Sequence, residues 1–456
     1  MTSDPNDASD SRDPSGSRDE RPDERPTASL SMASLLRLSI YWLGLVAVFG
    51  GIGVILQERA KVLIPDESVR FTTVGIVQLL GVIVAVIIQP TVGSISDYTV
   101  SRFGRRKPYI LIGTILNLLF LVGLATSNTL VMVAAFVLLL QFSSNFAQGP
   151  FQGYVPDLVP SHQVGLASGM VGLFQVLGVV TGTALATIGT RTGDFTIPTI
   201  LLGVIEFVTM LSLFFRLEDG RKAKDRHGRS WRSVAGEAWG TDILAERSFI
   251  FLVASRFFIL GGSALRIVLA VPYLERSRGL VDKDARATWL LGVTVVVALC
   301  TAITTLPAAR LSERFGRKRV IYFACALGAT GMTICALAPA VPLLLVGAIL
   351  VGVGAGSFLA VDWALMTDII PKASSGRYMG ISNVATATNG VVAGFIGGII
   401  VDRLAATGNP ALGPRLAFLT APIWFAIGAL LLRPVDQRRR DGDAAGVVAV
   451  SASPVD

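Results

Sequence analysis

Cysteine and histidine are nearly missing from this chain, with three of the first and two of the second in 456 residues. Cys300, Cys325 and Cys335 all lie inside apolar runs, where they read as small buried hydrophobes rather than disulfide partners or metal ligands. His162 and His227 lie in polar loops, so Ser/His and Cys/His catalytic arrangements and imidazole metal sites have almost nothing to build on. No cofactor, metal or enzymatic role is expected. Charge is scarce too: 16% of residues are Asp, Glu, Lys or Arg, against about a quarter in soluble domains. Apolar residues take their place, at 52% and a mean hydropathy of +0.62. A stretch of about 20 such residues spans a bilayer's hydrocarbon core, and the chain has room for many.

Twelve spans are predicted, at about 36–57, 70–92, 108–127, 130–155, 164–188, 196–216, 249–274, 287–308, 319–338, 341–366, 378–401 and 415–433. Residues 1–33 are rich in Ser, Asp, Arg and Pro without apolar periodicity, and 434–456 are likewise polar; both are expected to be disordered tails. The N-terminal stretch has no apolar segment of the signal-peptide kind. A polar linker, 217–247, divides the remainder into six-span units at 34–216 and 248–433. Even-numbered loops, the linker and the C-terminal tail carry roughly twice as many Lys and Arg as the odd-numbered loops. The positive-inside rule then puts both termini in the cytoplasm and the chain in the cell membrane. The net charge of +8 follows from that bias, so nucleic acid is not an expected partner. The fold class is an all-α membrane protein of twelve transmembrane helices in two pseudo-symmetric six-helix bundles.

The two units repeat each other. SRFGRRK at 101–107 recurs as ERFGRKR at 313–319, which maps Gly104 onto Gly316. PDLVPSHQVGLASG at 156–169 recurs as TDIIPKASSGRYMG at 367–380, which maps Asp157 onto Asp368. Matched loops between matched spans are the sequence form of a repeat-built transporter working about a central site. Around the first motif, Gly93 lets span 2 pack closely on a neighbour. Asp97 ends that span, where it can latch onto the positive N-terminus of a helix from the other half. Arg102, Arg105 and Arg106 form a basic cluster, with Arg106 read as a topology charge. Glu313, Arg314 and Arg317 repeat the pattern, and Arg377 accompanies Asp368. The acid pair Asp157 and Asp368 either bridges arginines across the inner mouth or merely terminates helices.

An ionisable group at mid-membrane costs roughly 2.5–3.5 kcal/mol, so each needs a purpose. Arg256 in span 7 and Asp362 in span 10 both fall roughly 12–13 Å from their inner edges at 1.5 Å per residue, close enough to pair. That pair is either static or broken and remade by protonation. Arg266, ten residues beyond Arg256, is left without a partner and is a candidate for touching substrate or an outer gate. Glu206 in span 6 is a candidate proton carrier or a structural acid. Gln141, Asn145, Gln148 and Gln152 follow at steps of four, three and four, so four amides share one face of span 4. Amides both donate and accept, which suits a hydroxyl-rich ligand. Trp42 and Trp363 are candidates for stacking on a sugar face, Gln57 and Glu58 for an outer mouth, and Gln78 and Asn117 for structural hydrogen bonds.

The doubled G-x-x-x-D…R-x-G-R-[RK] loop resembles the major facilitator superfamily. The longer SDYTVSRFGRRKP form, and NFAQGP at 145–150 followed by Asp157, resemble its sucrose-transporter and glycoside–pentoside–hexuronide branch. The resemblance implies the major facilitator fold and a monomer that moves a small sugar-like solute with a proton by alternating access. Spans 1 and 2 lack the embedded aspartates of that branch's cation-coupled symporters, so sodium coupling is not carried over. Efflux of a drug-like molecule or metabolite is the alternative.

Overall fold

Backbone amides have no water to bond in hydrocarbon, so a spanning segment must satisfy them within its own helix. The computed structural model describes residues 28–160, 163–216, 228, 230–237, 247–369 and 375–435, and among them there is no strand. Among the described residues twelve helices are long and apolar enough to cross a membrane, spans 1 to 12 in chain order. The first unit holds Met32–Leu63, Arg70–Asp97, Lys107–Thr126, Leu130–Gln152, Val164–Thr192 and Thr196–Arg216. The second holds Arg247–Val268, Lys283–Phe315, Arg317–Leu337, Leu343–Ile369, Ser375–Ala406 and Leu412–Leu431. With an even number of spans, the start of span 1 and the end of span 12 share the face of the even-numbered loops; the opposite face carries the odd-numbered loops.

Span ends are written locally. Ser31, Thr129 and Asp282 accept the backbone N–H groups of Ser34, Met132 and Ala285 and so cap spans 1, 4 and 8. Pro108 sits in the first turn of span 3, where its missing N–H costs nothing. Span 1 begins at Met32, inside the stretch expected to be tail, because Gln163 holds Leu30 by two hydrogen bonds to its backbone, at 2.8 and 3.1 Å. The rest of both expected tails lies outside the described residues. In the linker, read as lacking any apolar run, Trp231–Glu237 forms a helix that packs on span 2 with Val234 wholly buried.

Burial of apolar area drives little between helices in lipid, so close backbone approach has to supply dispersion and weak polar contact. Gly182 meets span 1 so closely that an added Cβ would lie 2.2 Å from the Ala47 carbonyl oxygen. Gly347 against Gly331 does the same between spans 9 and 10, and Gly149 against Gln89 between spans 2 and 4. Gly93 faces Gly149 across that last contact. Ile83, Leu119, Val208, Ile303, Phe323 and Ile423 stand exposed around the outside, the expected lipid face.

The duplication is visible in the backbone. Gly104 and Gly316 both adopt positive φ, +98° and +89°, a region that favours glycine, which explains the shared RFGR core of the two loops. A second correspondence was not read from sequence. Arg59, ending span 1, donates to the carbonyls of Leu124 and Ser127 at the end of span 3. Arg278, beyond span 7, donates to those of Ala336 and Ala338 at the end of span 9. Each half thus ties a cation to the negative end of its third helix.

Gly182→Ala is expected to destabilise the purified protein by about 1–3 kcal/mol through overpacking. Gly172→Ala, whose added Cβ meets nothing within 4 Å, should be neutral or stabilising. Thermal unfolding in detergent compares the two; equal melting temperatures would remove close approach as the packing device.

Candidate functional site

At the even-loop face, the motif residues form one compact cluster inside the first half. Arg106 donates to Asp97 at 2.9 Å and to the Pro150 carbonyl at 2.8 Å, and it lies 2.9 Å from Asp157. Arg105 also pairs with Asp157, and it sits 3.5 Å from Asp97. Both arginines are about 95% buried, so Arg106, expected as a topology charge, also clamps Asp97 to the end of span 4. It lies across Gly153, where a Cβ would coincide with the guanidinium. Among the described residues Asp97 thus engages its own half rather than a helix of the other. Two arginines one residue apart on a glycine turn already satisfy its charge. Arg102 is exposed over the Phe103 ring, and Glu313 and Arg314 point to solvent, Glu313 without an ion pair among the described residues. Arg317 is half-buried. The side chains of Asp368, Arg377 and Trp363 lie outside the described residues.

Within the membrane, the structure brings Arg256 and Asp362 together, Nε to Oδ2 at 3.0 Å, with both residues almost fully buried. Arg256 also donates to the Ser382 hydroxyl, so the pair joins spans 7, 10 and 11. Glu206 is fully buried inside the first half. It accepts a hydrogen bond from Asn117, whose own carbonyl takes those of Ser143 and Ser144 at 2.8 and 3.0 Å. Its backbone packs on Gly44. Of the four amides on span 4, Asn145 is buried and spends its N–H groups on Gln141 one turn earlier. Gln141 lies against Gly81 of span 2, while Gln148 and Gln152 are half-buried.

The two halves meet at the odd-loop face through polar contacts of which sequence reasoning singled out only Glu58, as part of an outer mouth. Asp402, at the end of span 11 and 1% exposed, accepts the backbone N–H groups of Phe71 and Thr72 at 3.2 and 2.6 Å. Those are orphan donors in the first turn of span 2, where helix polarity also favours an anion. Glu58 takes both arms of Arg286, at 3.1 and 3.3 Å. Lys61 reaches Glu58 at 2.9 Å and pairs with Glu275 across the seam, and Glu67 lies 3.3 Å from Arg276. At the rim, Arg191 donates to Thr288 at 2.7 Å. The apolar core runs continuously beneath this lock, from Leu56, Phe71 and Val74 to Leu269, Leu274 and Val401. Toward the even-loop face a separate core, Leu35, Tyr41, Phe151 and Tyr154 among it, belongs to the first half alone.

Between the halves lies a cavity of about 260 Å³. Span 1 contributes Phe49 and Gly50, span 5 Thr183, span 7 Arg266, and span 8 Thr294. None of the four span 4 amides lines it. Arg266 makes no hydrogen bond or ion pair among the described residues, and its Nε is sealed from solvent.

A family model described as MFS/sugar transport protein matches residues 67–432. The chain belongs to this family. It is 31% identical over 140 residues to the uncharacterized MFS-type transporter Rv1877 of Mycobacterium tuberculosis, a match covering 30% of this chain and 19% of that protein. It is 33% identical over 127 residues to the sucrose transport protein SUT1 of Oryza sativa subsp. japonica, covering 23% of each. The matched segments thus span about a fifth of the length of these relatives. A bacterial homolog of the human lysosomal transporter Spinster, crystallised inward-facing and occupied, superposes with a TM-score of 0.65 at 13% identity, over 88% of this chain and 96% of that one. The fold is that of the major facilitator superfamily.

Reversing either charge of the Glu58–Arg286 pair is expected to lower the melting temperature, because each variant leaves a buried charge facing its like. Glu58→Arg with Arg286→Glu together should recover about 1–3 kcal/mol relative to the sum of the single changes. Additive losses in the double variant would mean that the pair does not couple the halves.

Proposed function

We propose that this chain is a secondary active transporter that carries a small sugar or glycoside together with a proton by alternating access. The observation that supports it most is the asymmetric seam. Two six-helix bundles enclose a cavity, and charged pairs join them on the odd-loop face. Ion pairs and helix-end contacts of this kind are discrete, so they break and reform as a set and let one bundle rock against the other. In this reading the locked face is external, both termini are cytoplasmic, and the chain sits in the cell membrane. The family description and the sucrose relative support a sugar cargo. Asp362 is the proton site: taking up a proton releases Arg256 and frees spans 7 and 10 to shift. Glu206, held by Asn117, keeps the first bundle together.

A second reading, efflux of an amphipathic molecule in exchange for protons, is favoured by one observation. The cavity is largely apolar and leaves the amide stripe aside. A sugar panel assayed for uptake in proteoliposomes, beside resistance assays in cells, separates the two.

Asp362→Asn should abolish proton-driven accumulation of the cargo in proteoliposomes while leaving cargo exchange partly intact. Unchanged accumulation against a gradient would remove Asp362 from coupling.

A further inference from the structure

The two arginines of span 7 differ in one respect. Arg256 has its carboxylate, Asp362, at 3.0 Å. Arg266 has none among the described residues, although its Nε is sealed from water and the neighbouring walls are apolar. A guanidinium without a counter-charge at membrane depth costs several kcal/mol. Three cations of the seam do have carboxylates: Arg286 has Glu58, Lys61 has Glu58 and Glu275, and Arg276 has Glu67. Among the described residues, then, Arg266 is a buried charge without a partner.

The cavity wall says what kind of partner fits. Phe49 and Phe418 give it aromatic surface, and Tyr273 stacks on Phe418 with ring centroids 4.3 Å apart. The Tyr273 hydroxyl is already spent, donating to the Cys335 carbonyl and accepting from Arg278 at 2.7 Å. Thr294 donates to its own helix at Leu290. Few donors remain for a neutral polyol, whereas a carboxylate meets a planar fork that binds it in a bidentate manner. The volume, about 260 Å³, accommodates a ring-sized organic body rather than a bare inorganic ion alone.

Building on the transport reading above, we infer that the cargo is a carboxylate-bearing organic anion with an apolar or aromatic body, its carboxylate held by Arg266. Such a cargo would supply the missing counter-charge, so its arrival stabilises the loaded cavity and its departure leaves Arg266 unpaired again. Two sources share this chemistry: a sugar acid joined to an aryl group, and an aromatic acid with no sugar.

Calorimetric titration of the purified full-length protein in detergent tests it with three probes. Phenyl β-D-glucuronide and phenyl β-D-glucoside differ by a carboxylate, and 3-phenylpropionate keeps the acid without the sugar. The glucuronide is expected to bind at least tenfold more tightly than the glucoside. Arg266→Gln should erase that preference, while Arg266→Lys should keep part of it. Should Arg266→Gln fail to fold, the wild-type comparison and Arg266→Lys decide. Equal or tighter binding of the glucoside overturns the inference and leaves the sugar reading standing. Arg266-dependent binding of 3-phenylpropionate alone supports the anion and removes the sugar. A preference that survives in Arg266→Gln, or no binding of any probe, also overturns it.

Discussion

The carboxylate of Asp402 on the first-turn amides of span 2 is the contact on which the arrangement of the two bundles rests. Lipid offers no hydrophobic incentive for one bundle to prefer a particular pose against the other, so polar contacts must choose it. Asp402 is suited to that task because a helix N-terminus carries unsatisfied donors and partial positive charge, and both are directional. Around it, Glu58, Arg286, Lys61 and Glu275 add charges that are paired in this pose. The cavity, the closed odd-loop face and the separate core near the even-loop face all follow from that choice.

Inside each bundle the interactions are of another kind. Gly182 on Ala47, Gly347 on Gly331 and Gly149 on Gln89 lock spans together by close approach, which does not tolerate sliding. The Arg105–Arg106 cluster with Asp97 and Asp157, and the hub of Asn117, Glu206, Ser143 and Ser144, add buried polar ties within the first half. Rigid bundles joined by separable charges are the combination that rocking about a fixed centre requires. Arg256–Asp362 lies on the boundary between these classes, since it joins three spans of one bundle through a charge that a single proton removes.

Much of the fold was legible in the sequence because it depends on local rules. Apolar length gave twelve spans, and the RFGR repeat gave the duplication, which the shared positive φ of Gly104 and Gly316 explains. Helical rise alone put Arg256 and Asp362 at one depth and Arg266 beyond both. The lock was not legible. Glu58 was read as part of an outer mouth, but Asp402 and Arg286 stand next to loops, where charge reads as topology, and the partners of all three lie hundreds of residues away along the chain. The burial of Arg106 was not legible for the same reason: only the fold shows Gly153 opening a berth for it. The amide stripe on span 4 was a correct face, but periodicity cannot say what lies opposite; one amide closes on its own helix and none reaches the cavity. The side chains of Asp368, Arg377 and Trp363 lie outside the described residues.

The most direct measurement is a pair of spin-label distances taken on one protein. Val62 and Val281 mark the odd-loop face, and Val100 and Phe315 the other; all four are exposed. Breaking the lock with Asp402→Asn and Arg286→Glu is expected to lengthen the first distance and shorten the second. Two distances that stay fixed, or that lengthen together, would contradict bundles rocking about a common centre.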